Sequence, residues 1–244
     1  SAVWARQNRA FGLAACRRIP RNATAVYAFN GAALEIFQEA KRRKVRCVLD
    51  QTSAPWRYNR DLLTAERDRW PDWEDSPADL DRSGDMIERE EMEWDLADAI
   101  VCGSPFVVEA VRSVGGPFEK CCVVTYPTPD SNTLRDSLQR DNNSQVINVL
   151  YVGTVQLRKG IQYLWESAGR LSESRFQFRA VGPSHMTASA QSKLEERIHC
   201  VGAVPRAMVR QHYEWADGVG LPSLSEVGAN VGHVALAWGR PVST

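Results

Sequence analysis

No apolar run in the 244 residues approaches the ~18 needed for a helix that spans a bilayer. Net charge is missing too, because 30 basic side chains balance 30 acidic ones. No two of the cysteines at 16, 47, 102, 121, 122 and 200 have CxxC spacing, so neither a zinc ribbon nor a dithiol redox motif is indicated. Four of them sit in or beside apolar strand-like runs, which reads as buried free thiols in a reducing compartment. GxxxxGK[ST] is absent, which excludes a P-loop. No HExxH or Ser-His-Asp arrangement is present either, and the four histidines (185, 199, 212 and 233) all fall in the second half. The chain opens on SAVWARQNRA, with no initiator Met and no charged-then-apolar leader. It closes on GRPVST, where a strand begins. Both ends read as cut, so a fragment is expected.

The composition, 43% hydrophobic and 25% charged, describes a soluble globular chain and excludes a disordered tail, a collagen-like fibre and a disulfide-stapled miniprotein. The length suits one large domain or two small ones. The zero net charge conceals an asymmetry. Residues 1–46 hold ten Arg/Lys against two Glu, and residues 61–98 hold fifteen Asp/Glu against four Arg. The basic stretch suits an anionic surface, whether membrane or nucleic acid. The simpler reading is that Lys41-Arg42-Arg43-Lys44 ends a helix, where cations suit the negative dipole end, with the acidic stretch neutralising it in space.

Hydrophobic patterning divides the chain into two alternating series. Thr24–Phe29 reads as a strand, followed by a helix opening at Asn30-Gly31 and running to about Arg43. Val45–Asp50 is nearly continuous in apolar content, as in a parallel strand buried on both faces. Helices are expected near 58–69, at Met86–Ala97 and at Pro105–Val114, with strands at Ala99–Cys102 and Cys121–Thr125. Glu90, Glu91 and Glu93 read as a solvated helix face. The stretch 127–145, rich in Pro, Asp, Asn and Ser, marks a linker between a domain at 1–126 and one at 146–244. The second series has strands at Val146–Val152, Phe176–Val181, Ile198–Val201, Gly218–Leu221 and from Pro241. Helices are expected at 159–171, 188–196, Pro205–Ala216 and 230–238. Such alternation implies an α/β protein of two Rossmann-like, doubly wound parallel sheets facing a cleft, with ligands beyond the carboxyl ends of the strands.

Two constellations fall at such ends. In Val152-Gly153-Thr154…Arg158-Lys159-Gly160 a strand ends in a glycine turn, and two cations stand at the start of the next helix. Cations there oppose the dipole, and a phosphate would reverse the sign by taking main-chain N–H groups and the ammonium together. A solvated Arg-Lys pair bending away is the alternative. In Pro222-Ser223-Leu224-Ser225-Glu226 a second loop leads through the small residues Gly228, Ala229 and Asn230 into a helix. Glu226 suits sugar hydroxyls, whereas an ordinary loop capped by Asn230 or Ser225 is the bland reading. Asp79-Leu80-Asp81 formally matches a DxD metal signature, but in an acidic loop such triplets arise by chance, and no metal is expected. His212 lies on the apolar side of its helix and reads as a core residue.

Taken together, VLYVGTVQLRKGIQYLWESAGRL and HCVGAVPRAMVRQHYEWADGVGLPSLSEVGANVGHVALAWGRPV resemble the donor-binding domain of family 4 glycosyltransferases of GT-B fold. EWDLADAIVCGSPFVVEAVRSVGGPFEKCCVVTYP resembles the end of their N-terminal domain. The resemblance implies a retaining transferase that moves a sugar from a nucleotide-diphosphate sugar to an acceptor without a metal. It implies that Lys159 holds the diphosphate and that Glu226 touches the donor sugar; in the place of the family's acceptor-side His, Asp50 is the best remaining polar candidate. Donor contacts are implied at Gly153, Thr154, Arg158, Gly182, Val204, Gly228, Ala229, Asn230 and Val231.

Three positions depart from the family pattern. Thr154 stands where a second phosphate-binding Arg is common. Val234 stands where a second Glu grips the ribose, and no His follows the strand ending at Asp50. These departures open two alternatives: a catalytically impaired relative acting as a binding module, or a GT-B enzyme of another reaction such as an epimerase or phosphorylase. The implied partners are a nucleotide-sugar donor and a carbohydrate, lipid-linked or small-molecule acceptor, with no nucleic acid. The implied location is cytoplasmic, and peripheral contact with the inner membrane face is kept as an alternative.

Overall fold

A computed structural model describes residues 2–74, 83–125, 146–228 and 230–244. The expected linker 127–145, Asp79-Leu80-Asp81 and Ala229 lie outside the described residues. The contacts divide the chain into two units. The first comprises Ser1–Leu62, Ser76–Tyr126 and Glu226–Gly228, and the second Leu63–Asp75, Pro127–Ser225 and Ala229–Thr244.

The first unit begins with α1 (Ala2–Cys16), where no element was expected, and continues through β1 (Ala25–Phe29), α2 (Leu34–Arg42) and β2 (Arg46–Gln51). After α3 (Trp56–Arg69), whose last turns belong to the second unit, come α4 (Ser83–Leu96), β3 (Ala99–Cys102), α5 (Pro105–Ser113) and β4 (Cys121–Val123). The strands form a parallel sheet of order β1-β2-β3-β4. The spacing of Ile36, Phe37 and Ala40 puts one face of α2 into a core shared with Cys47, Leu49, Trp94, Ile100 and Val111. Lys41 does meet an acid from the later stretch, its Nζ lying 2.6 Å from Asp98 Oδ1.

The acidic helix α4 corrects the sequence reading. Glu90 and Glu93 are only 2% and 0% exposed, so they are not a solvated face. Glu93 accepts the N–H groups of Gly31, Ala33 and Leu34 at 2.6, 2.9 and 3.1 Å, which caps the start of α2 with a carboxylate. Here the backbone turns before the helix proper begins at Leu34, later than the Asn30-Gly31 start expected. Glu90 accepts the Gln51 amide at 2.8 Å and the Trp56 N–H at 2.8 Å. Arg89 reaches Glu35 at 2.6 Å and Glu93 at 3.5 Å. Burial pushes the Glu93 carboxyl up to about 7, against the pull of those N–H groups and Arg89.

In the second unit β5 (Ile147–Val152), α6 (Ile161–Arg170), β6 (Phe176–Val181), α7 (Ala188–Glu195), β7 (Ile198–Gly202), α8 (Val209–Trp215), β8 (Gly218–Gly220), α9 (Asn230–Ala237) and β9 (Val242–Ser243) follow in turn. All strand pairings are parallel, in the order β7-β6-β5-β8-β9. Alternation along β5 sends Tyr151 into one core with Leu157, Ile161, Phe178 and Leu194, and Leu150 into another with Val181, Tyr213, Val219 and Trp238. Both faces of the sheet are thus covered. His212 is 6% exposed, as its apolar face led one to expect. Burial first, then the charges of Arg179 and His199, hold its pKa below the ordinary value.

Residues 63–74 also correct the sequence reading, which placed them in the first domain. Trp73 is 4% exposed in the core of the second unit, with Trp70 and Trp165 packed beside it. The cysteines are unpaired, but only Cys47 and Cys102 are buried, and Cys122 is exposed on the short edge strand β4. No described helix is long and apolar enough to cross a membrane.

Candidate active site

The second sheet presents glycines where three neighbouring strands end. Gly153 continues the ladder by donating its N–H to Val181 O at 2.9 Å, and Gly182 donates to Gly202 O at 2.9 Å. A Cβ on Gly182 would lie 2.0 Å from Gly153 O, so only glycine allows this approach of two main chains. The result is a rim of bare backbone at the carboxyl edge of the sheet, where doubly wound folds take their ligands.

From β5 the chain passes Thr154, whose carbonyl accepts the Tyr151 hydroxyl at 2.7 Å, into a 3-10 turn at Leu157–Lys159. Gly160 ends that turn in the left-handed region, at φ +71°, and opens α6. A Cβ at Gly160 would stand 1.8 Å from Pro222 O. The two sequence constellations therefore touch at their backbones. Leu224 donates its N–H to Arg158 O at 3.0 Å, and Arg158 Nη1 donates to Ser225 O at 3.2 Å. Arg158 thus uses part of its donor set to tie the second loop down. Lys159, next to it, is half-buried. The Ser223 hydroxyl in the same loop is buried with no partner among the described residues, a polar atom that fits a ligand contact.

Gly153, Thr154, Arg158, Lys159 and Gly182 accordingly gather in the second unit, with Ser223 and Ser225. Val204 and Val231 pack against the core that holds Tyr213 and Trp238, and Val231 O accepts the Tyr213 hydroxyl at 3.3 Å. Val234 packs against that same core. Asn230 begins α9. Glu226 and Gly228 group with the first unit and are half-buried. Asp50, also of the first unit, is half-buried, and its Oδ2 accepts the Tyr27 hydroxyl at 2.8 Å. Its carbonyl takes the Asn30 N–H at 2.9 Å, and Asn30 Oδ1 accepts from Thr52 at 2.7 Å. These bonds fix the carboxyl ends of β1 and β2.

Sequence reasoning missed Glu74. Its Oε1 accepts the Leu157 N–H at 2.6 Å, so the first donor of the 3-10 turn is already engaged by a carboxylate. The paired tryptophans at 70 and 73, in an otherwise polar stretch, were the available signal that this segment is packed. Among the described residues no group of three or more His, Cys, Asp or Glu is arranged to hold a metal ion.

Comparisons with known proteins bear on the second unit and on the fold. Residues 147–244 match the family described as "Glycosyl transferases group 1". No curated protein matches the chain. Among solved structures, the lipopolysaccharide outer core galactosyltransferase WaaB in its apo form is 16% identical, with a TM-score of 0.61, over 98% of this chain and 60% of that one. HepE from Anabaena in complex with UDP is 16% identical, with a TM-score of 0.60, over 95% and 62%. Sucrose-phosphate synthase from Thermosynechococcus elongatus is 17% identical, with a TM-score of 0.63, over 90% and 55%. The chain thus spans about three-fifths of the length of these proteins. At this identity the likeness is one of fold: two α/β units built on parallel sheets, as in GT-B glycosyltransferases, the second of them matching the group 1 family.

Proposed function

We propose that this chain is part of a retaining glycosyltransferase that uses a nucleotide-diphosphate sugar. The donor diphosphate lies over the glycine rim at Gly153 and Gly182, beside the turn that carries Lys159. In the transfer, the acceptor oxygen bonds to the anomeric carbon as the bond from that carbon to the diphosphate oxygen breaks on the same face. The acceptor proton passes to the leaving phosphate. The products are a new glycoside and a nucleoside diphosphate. Lys159 and main-chain dipoles, rather than a metal, stabilise the charge gathering on the leaving group. Glu226 contacts the donor sugar, and Asp50 is the polar group offered to the acceptor.

One observation carries this reading: a cation-bearing turn and a second loop stitched together by Arg158 beside a rim of bare backbone, within the residues that match the glycosyl transferase family. The UDP held by the HepE structure supports a nucleoside diphosphate as the probe. Isothermal titration of the full-length protein with UDP, GDP and ADP tests it. Binding of one of them at micromolar to sub-millimolar concentration is expected, and no binding of any at millimolar concentration would overturn the reading.

A second reading, a catalytically impaired binding module, is favoured by Val234. Its methyls pack against the core of Tyr213 and Trp238 and offer nothing to a ribose. Val234→Glu separates the two. A large gain in nucleotide affinity would mark a decayed ribose site, whereas loss of stability without gain would mark a position given over to packing.

A further inference from the structure

The 3-10 turn that carries Arg158 and Lys159 is held by a segment encoded some 90 residues earlier. Residues 63–74 belong to the second unit and are fastened to the stretch between β6 and α7. Glu74 forms an antiparallel bridge with Met186, Thr187 donates its N–H to Trp73 O at 2.9 Å, and the Thr187 hydroxyl donates to Asp72 O at 2.6 Å. Asp72 adopts φ +63° to make the bend, a conformation that Asp tolerates better than most residues. Trp70 and Trp73 stack edge-on at 4.7 Å, and Trp73 meets Trp165 of α6 at 5.6 Å.

This segment grips the peptide of Leu157 on both sides. Glu74 Oε1 takes its N–H at 2.6 Å. Its carbonyl accepts from Gln162 Nε2 at 3.1 Å, and the same amide nitrogen donates to Glu66 Oε2 at 2.9 Å. Glu66 is also held by the Tyr163 hydroxyl at 2.8 Å, and the Leu157 side chain is fully buried. The next two residues are Arg158 and Lys159. We infer that Glu74 directly, and Glu66 through Gln162, are positioning residues that fix the turn from which Lys159 meets an anionic donor. This rests on the proposed diphosphate reading of the site.

Charge and geometry make opposite predictions here. A carboxylate beside a phosphate site repels the ligand, so if charge dominated, removing it would tighten binding. If Glu74 acts by holding the turn, deleting it loosens the turn and weakens binding, while Glu74→Gln keeps an acceptor and rescues.

The test uses the full-length protein with Glu74→Ala and Glu74→Gln. Hydrogen exchange of the peptide spanning residues 156–163 is measured without ligand, and UDP affinity by titration well below the melting temperature. For Glu74→Ala, exchange in that peptide is expected to accelerate roughly tenfold while the first sheet is unchanged. UDP is expected to bind roughly tenfold more weakly. Glu74→Gln is expected to stay within about threefold of wild type in both readouts. Unchanged exchange in Glu74→Ala would overturn the inference, as would a several-fold gain in affinity in either variant. If Glu74→Ala does not fold, Glu74→Gln alone decides by the same limits. If the wild-type protein itself binds no nucleoside diphosphate, the functional reading fails, and the exchange measurement still judges whether Glu74 holds the turn.

Discussion

Replacing Gly160 with Ala probes the junction on which the candidate site is built. Gly160 sits at φ +71°, with a prospective Cβ 1.8 Å from Pro222 O and 2.6 Å from Pro222 C. A left-handed conformation costs an L-residue about 1–2 kcal/mol. The clash adds more, because the obstacle is backbone on both sides. The loops must part by more than an ångström, and the 3.0 Å bond from Leu224 N–H to Arg158 O is the first to stretch. Overpacking of this kind costs about 1–3 kcal/mol, and the strained hydrogen bond about 1. A loss of about 3–6 kcal/mol is expected, a large share of a typical domain's stability. Gly202 supplies the control within the same unit. It has φ +80° and nothing among the described residues within 4 Å of its prospective Cβ, so Gly202→Ala should cost only the backbone term, about 1–2 kcal/mol. Urea unfolding followed by tryptophan fluorescence reads both, since the midpoint shifts at constant slope. If Gly160→Ala proved no more costly than Gly202→Ala, the two loops would not be in contact and the site as described would not exist.

Other consequences follow from the buried groups. Glu93, with its carboxyl pushed up to about 7 by burial from an ordinary value of 4.5, folds more readily protonated than ionised. Its contribution is therefore fully present below about pH 4.5 and lost as the pH rises through 7, by about 3 kcal/mol. Stability measured against pH for wild type and Glu93→Gln should show that difference, and parallel curves would contradict it. Trp73→Ala empties a 4%-exposed site in the second core and should cost about 3–5 kcal/mol. Chemical denaturation reads the loss, and a loss under 1 kcal/mol would return residues 63–74 to the first domain.

Much of the architecture could be read from local pattern. VINVLYV and VRCVLD are apolar on both faces, and a parallel strand covered by helices on each side requires that. Gly153 after β5 stood out as the end of a strand, whereas Gly182 after β6 was implied only by the family resemblance. The meaning of charged residues was harder to read. Glu90 and Glu93 look like solvated acids in sequence, because their partners at Gly31, Ala33, Gln51 and Trp56 lie between 34 and 62 residues away. A helical period reports which face is apolar and says nothing about a carboxylate that pairs with main-chain donors. Glu74 escaped for the same reason, its partner being 83 residues distant. Arg158 was expected to face phosphate, and part of its donor set together with its carbonyl also ties down the neighbouring loop. A loop-to-loop tie of this kind leaves no mark in a local pattern.

The central claim is that the turn at Leu157–Lys159 holds a diphosphate, and Lys159 is its most direct test. UDP affinity should be compared by titration for wild type, Lys159→Arg and Lys159→Glu, with folding checked by circular dichroism. Loss of a charge-assisted contact to phosphate should weaken binding by one to two orders of magnitude in Lys159→Glu, while Lys159→Arg retains most of it. Equal affinity in all three proteins would contradict the account.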